Sequence, residues 1–230
     1  METSVTLESD GADGVSSRSI STPAVLVRIG VGSRFEFRLG GDGFLHDWTA
    51  GVKNSGRSGH SDVEFGAKLK VLGGGALDLA VIPIVSIPTH DDRSSSGTVD
   101  PTVKFSWATT LPRDFGLSGN VNVSRPSDPQ GPITEHAVSV SLAHGLPGGW
   151  GGDWETYAFT PMERGLGAGW TVNTGVTRCL GDDMQLDVEV GRGVTADASD
   201  WFVGVGFVVR SRPRATPCPL RSTRRALSVD

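Results

Sequence analysis

A chain of 230 residues is long enough for one architecture and too short for two comfortable domains. Its net charge of −5 offers no general attraction to nucleic acid, which excludes that partner class, and its 32 glycines and 20% charged residues suit turns and strands better than packed helices. No run of about 18 apolar residues exists to form a spanning helix, but a membrane β-barrel stays open because its strands need only alternate apolar residues.

In chain order the predicted elements are strands. Residues 3–9 alternate, and residues 10–18 read as a polar loop. Val25, Val27 and Ile29 then oppose Ala24, Leu26 and Arg28, and a Gly-rich turn at 30–33 leads to Phe35, Phe37 and Leu39 against Arg34, Glu36 and Arg38. Residues 40–60 read as a long loop. In 61–72, Val63, Phe65, Ala67, Leu69 and Val71 face away from Asp62, Glu64, Gly66, Lys68 and Lys70. After the turn at 73–75, residues 76–87 form a strand in which Pro83, which cannot donate to a ladder, predicts irregular pairing.

A polar loop over 88–100 precedes Val103, Phe105 and Trp107, which alternate with Thr102, Lys104 and Ser106. Strands follow over 115–124 and 138–143. The strand over 154–159 is the weakest, because neither of its faces is clearly apolar. Trp170, Val172, Thr174 and Val176 come next. In 184–190, Leu186, Val188 and Val190 alternate without a break against Gln185, Asp187 and Glu189, and a last strand carries Trp201, Val203, Val205, Phe207 and Val209.

The total is about 12 strands, with connections that run long, short, long, short along the chain. Tight turns therefore collect at one end of an up-and-down sheet and longer loops at the other, the asymmetry of an outer-membrane barrel. Several strands of about nine to twelve residues suit a tilted crossing of a hydrocarbon core, where soluble strands are about five or six. Trp107, Phe115, Trp150, Trp154, Trp170 and Trp201 read as strand-end aromatics suited to interfacial girdles. The expected fold is all-β: an antiparallel up-and-down transmembrane β-barrel over 1–210, with a basic, Pro-rich, disordered tail over 211–230.

On this reading Arg28, Arg34, Glu36, Arg38, Asp62, Glu64, Lys68, Lys70, Lys104, Asp187 and Glu189 face the lumen. Charge of both signs at close quarters is expected to pair across strands, with some of it setting solute selectivity. Alternation alone also fits a soluble β-sandwich. Residues 1–10 carry neither the basic nor the apolar region of a secretory signal, which counts against export unless this is the mature form or the true start lies upstream. Cys179 and Cys218 read as two unpaired thiols, with a strand-to-tail disulfide as the alternative.

The stretches Pro23-Ala24-Val25-Leu26-Val27-Arg28-Ile29-Gly30 and Arg34-Phe35-Glu36-Phe37-Arg38-Leu39 are similar to one known family. So are Gln185-Leu186-Asp187-Val188-Glu189-Val190-Gly191 and Asp200-Trp201-Phe202-Val203-Gly204-Val205-Gly206-Phe207. Together they resemble the outer-membrane transporters grouped as the MetA-pathway phenol-degradation family, over most of residues 1–210. The resemblance implies a barrel in the outer membrane of a Gram-negative bacterium, and it carries over no catalytic residues.

Chemistry of other kinds finds little support. His90-Asp91-Asp92 is one compact cluster with no second ligand spacing, so a solvated loop is expected. His60-Ser61 lacks the surroundings of an activated nucleophile, and Gly73-Gly74-Gly75 opens no helix that would cradle phosphate. The expectation is a non-enzymatic protein without cofactor or metal. Its partners are outer-membrane lipid and a small, hydrophobic or aromatic solute crossing by passive diffusion. The alternatives are a non-transporting barrel whose external loops bind a surface partner, and a soluble secreted β-sandwich binding module.

Overall fold

The computed structural model describes residues 1–12, 15–50, 55–89, 95–127, 131–160 and 167–211. Fourteen strand segments lie within them: β1 (Glu2–Ala12), β2 (Val15–Val31), β3 (Phe35–Gly41), β4 (Phe44–Thr49), β5 (Arg57–His60), β6 (Val63–Leu72) and β7 (Leu77–Ile87). The second half of the chain adds β8 (Asp100–Leu111), β9 (Phe115–Ser124), β10 (Glu135–Leu146), β11 (Trp150–Phe159), β12 (Gly169–Leu180), β13 (Met184–Gly193) and β14 (Trp201–Val209).

Twelve of these strands close a ring in the order β1-β14-β13-β12-β11-β10-β9-β8-β7-β6-β3-β2, and β2 returns to β1. Every pairing in it is antiparallel. Closure leaves no row of unpaired backbone groups facing lipid, a requirement for any sheet that crosses a bilayer.

Two long connections expected as loops are wall instead. β1 and β2 run on as a hairpin to Ala12 and Val15, and residues 40–60 contain β4 and β5. β2 is long enough to pair twice, with β3 along 25–31 and with β4 along 17–22, while β5 pairs with β4. The Gly and Asp residues at 40–43 mask this continuation, because they read as a loop although Gly40 and Gly41 end β3 and only Asp42 and Gly43 join it to β4. Pairing between β6 and β7 is irregular, as Pro83 predicts: the ladder skips from Gly66↔Ile84 to Leu69↔Val81, then shifts register between Lys70 and Leu72.

The connections sort by length. Residues 32–34, 73–76, 112–114, 147–149 and 181–183 turn the chain at the end that also holds Met1 and Val209, and the longer connections 88–99, 125–134, 160–168 and 194–200 lie at the opposite end, where the join 13–14 between β1 and β2 is short. The turn at 147–149 uses Gly148 and Gly149 at φ 74° and 79°, where a side chain would be strained.

Side-chain polarity is inverted relative to a soluble protein. Val188, Phe65 and Val121 point outward and are 37%, 47% and 45% exposed, whereas Ser106, Asn120 and Gln185 point inward and are 3–4% exposed. A sandwich would bury the first three between two sheets, so that alternative is overturned. The outer face instead offers hydrocarbon a continuous apolar surface. Trp150 and Phe115 begin strands at the turn side, and Trp170 and Trp201 sit near strand starts at the loop side. Trp107 and Trp154 depart from the expected girdles and lie inside their strands, with the Trp107 ring against Gly119 on the neighbouring strand. Arg178 lies over the Trp150 ring, 5.0 Å from its centroid, at the turn-side rim.

Cys179, on β12, is disulfide-bonded, which corrects the expectation of unpaired thiols. The chain's other cysteine, Cys218, lies outside the described residues, as do all residues of the expected tail except Ser211.

Candidate functional site

The lumen wall is built by register. Antiparallel partners share a face, so the ladder Glu2↔Val208, Ser4↔Gly206, Thr6↔Gly204 and Glu8↔Phe202 carries one inward row from β14 to β1. Each further pairing extends that row around the ring. On β8, β9 and β10 the inward face carries a ladder of hydroxyls and amides: Ser106 Oγ donates to Asn120 Oδ1 at 2.5 Å, Asn120 Nδ2 to Ser139 Oγ at 3.5 Å, and Ser124 Oγ to the Glu135 carboxylate at 2.9 Å.

Charge on the turn side is paired. Arg28 Nη2 bonds Glu2 across β2 and β1 at 2.5 Å, Arg38 Nε bonds Glu36 along β3 at 3.0 Å, and Lys70 Nζ bonds Asp78 across β6 and β7 at 3.1 Å. Gln185 donates to Asp187 on β13. A cavity of about 500 Å³ opens among Glu2, Arg28, Glu36, Gln185 and Asp187. Such pairs hold charge inside the barrel with little net field.

A second cavity of about 460 Å³ follows along β1, between Glu2 and Ser4. It brings Arg38, Glu64, Lys104 and Asp187 together with Leu26 and Ile84. The buried row Ala80, Ile82 and Ile84 gives this wall an apolar strip that the charge pattern did not reveal.

A third cavity, of about 370 Å³, lies beyond it towards the loops and is lined by Thr6, Glu8, Asn120, Asn122, Ser139, Glu155, Tyr157, Asn173, Glu189 and Phe202. Its walls include β1 and β9, which stand six places apart in the twelve-strand ring and so face each other across the lumen. Glycines make room for its large side chains. A Cβ at Gly204 would stand 2.6 Å from the Glu189 carboxylate, and one at Gly191 would collide with the Phe202 ring. Both glycines sit directly opposite those residues in the β13–β14 ladder.

Of the predicted charges, Arg28, Glu36 and Asp187 meet in the first cavity, Arg38, Glu64, Lys104 and Asp187 in the second, and Glu189 alone reaches the third. Lys68 pairs in register with Glu36 and so shares its face, while Lys70 is held at the turn side by Asp78. Arg34 lies exposed in the turn before β3. Asp62 sits just before β6 and accepts from Ser96 N at 3.2 Å, tying down the connection between β7 and β8.

Sequence reasoning missed Glu2, Glu8, Glu155 and Tyr157. The signal was present in β11, where Asp153, Glu155 and Tyr157 occupy alternate positions, but on the other face Trp154 is accompanied by Gly152, Thr156 and Ala158, too little apolar contrast to sort the faces. His90, Asp91 and Asp92 lie outside the described residues, and among the described residues no group of three His, Cys, Asp or Glu is placed to hold a metal ion.

Solved structures share this architecture. The COG4313 outer membrane channel from Pseudomonas putida F1 superposes with a TM-score of 0.60 at 15% identity, covering 90% of this chain and 94% of its own. The NanC porin matches with a TM-score of 0.59 at 8% identity (91% and 100% covered), and the KdgM porin with 0.58 at 9% (92% and 100%). At these identities the likeness is one of fold, that of an outer-membrane β-barrel. No curated protein matches the sequence. The family model described as "Putative MetA-pathway of phenol degradation" matches residues 2–211, which contain the whole ring, and the chain belongs to that family.

Proposed function

We propose that the barrel is a passive diffusion channel for small solutes, including ones with an apolar or aromatic part. One observation carries the reading: beneath an apolar outer skin, three cavities follow one another along β1, at Glu2, at Glu2 to Ser4, and at Thr6 to Glu8. Their walls mix polar and charged side chains with apolar ones, Leu26, Ile84 and Phe202 among them, which serve as footholds for a small organic body. A wet, narrow and partly apolar path suits diffusion of small molecules better than storage or catalysis. The selectivity role first assigned to the charged wall belongs to Arg38, Glu64, Lys104 and Asp187 in the middle cavity and to Glu189 nearer the loops.

The test is reconstitution into liposomes and measurement of swelling in isotonic solutes of rising size. The channel reading predicts a permeation rate that depends on protein and falls with solute size. Swelling no faster than in empty liposomes for every solute would sink it and favour a barrel that presents loops without transporting.

A further inference from the structure

We infer that the loop-side cavity is a selectivity site for cationic solutes that donate hydrogen bonds, the chemistry of a protonated amine. This rests on the channel reading above and adds the class of solute. Three carboxylates, Glu8, Glu155 and Glu189, line the cavity, and among the described residues no Lys, Arg or His does. Their partners among the described residues are neutral. Ser199 Oγ donates to Glu8 at 3.3 Å, Asn173 Nδ2 to Glu189 at 3.5 Å, and Glu155 accepts from Ser139 and Asn173. Among the described residues these carboxylates are therefore held by dipoles and form no ion pair, in contrast to the ion pairs at the turn side.

A second observation points the same way. Two side-chain oxygens at this cavity, Asn122 Oδ1 and Asn173 Oδ1, are buried and have no hydrogen-bond partner among the described residues. Both are acceptors. A buried acceptor left unpaired costs free energy that a donor-bearing ligand recovers, whereas an anion would add repulsion to the deficit. Tyr157 and Phe202 complete the lining with aromatic rings, which also favour a cation. Because the cavity reaches across the ring from β1 to β9, a solute in transit has to enter it. The middle cavity, where Arg38 and Lys104 accompany Glu2, Glu64 and Asp187, has no such one-signed lining.

The experiment measures reversal potentials of the full chain in planar bilayers separating unequal concentrations of methylammonium chloride. Acidic linings select cations, and a methylammonium-over-chloride permeability ratio of at least about threefold is expected. In the combined Glu8→Gln, Glu155→Gln and Glu189→Gln variant, with barrel assembly checked by heat-modifiable migration, the ratio falls towards unity. The single Glu155→Gln variant falls part of the way and stands in if the triple variant does not assemble. A ratio at or below one in the unaltered protein, or a ratio the variants leave unchanged, overturns the inference while the channel reading survives. Absence of current with any ion overturns the channel reading and this inference with it.

Discussion

Met1 and Val209 close the ring: the α-amino group of Met1 donates to the Val209 carbonyl at 2.9 Å, and the Val209 N–H donates to the Met1 carbonyl at 2.8 Å. The two ends of the wall, 208 residues apart in sequence, are thereby one ladder that continues to Ser9↔Trp201. Val5 and Val205 are direct partners near its centre. Directly opposed residues of this kind bring their Cβ atoms to roughly 4.5–5.5 Å, near the range a disulfide spans. A Val5→Cys, Val205→Cys double variant is expected to cross-link within one chain on mild oxidation, read by peptide mapping without reductant. Cross-links only between chains would contradict the seam.

The Phe202 ring lies where a Gly191 side chain would be, and lines the loop-side cavity. Gly191→Ala therefore swings the ring off the wall, and overpacking of this kind costs about 1–3 kcal/mol. The expected results are a lower single-channel conductance and a lower urea midpoint for unfolding from vesicles. Unchanged conductance would show that Phe202 does not border the path.

Arg38 is 6% exposed, bonds Glu36 and reaches into the middle cavity. Truncation in Arg38→Ala enlarges that cavity and leaves Glu36 without this partner, a loss worth about 1–3 kcal/mol. Conductance is expected to rise while stability falls, measured in bilayers and by urea titration respectively. A fall in conductance would place the narrowest part of the path elsewhere.

How much of this was legible depended on the contrast between faces. β13 shows it in full, since Leu186, Val188 and Val190 against Gln185, Asp187 and Glu189 can be sorted by eye, and the structure places the first set outside. The alternation of short turns and long connections was equally plain, because turn residues are local chemistry. β4 and β5 were not legible: their pairing depends on β2 being long enough to serve two partners, a non-local relation that no window of sequence contains. The same holds for the acidic cavity. Glu8, Glu155 and Glu189 lie on three strands, and only ring closure brings β1 onto the same side of the lumen as β13 and β11. The lumen charges on β2, β3 and β6 stood out because they are adjacent in sequence, while the equally charged β11 hid behind glycine and threonine.

The central claim is that neighbouring residues of one strand meet different solvents. It is tested most directly by placing a single environment-sensitive label at each of positions 185 to 190 in turn, in protein reconstituted into liposomes. Each label is then exposed to a lipid-borne nitroxide and to a water-soluble quencher. The account predicts strict alternation: labels at 186, 188 and 190 are quenched from the lipid, and labels at 185, 187 and 189 from water. Equal quenching of both sets, or lipid quenching of neither, would contradict it.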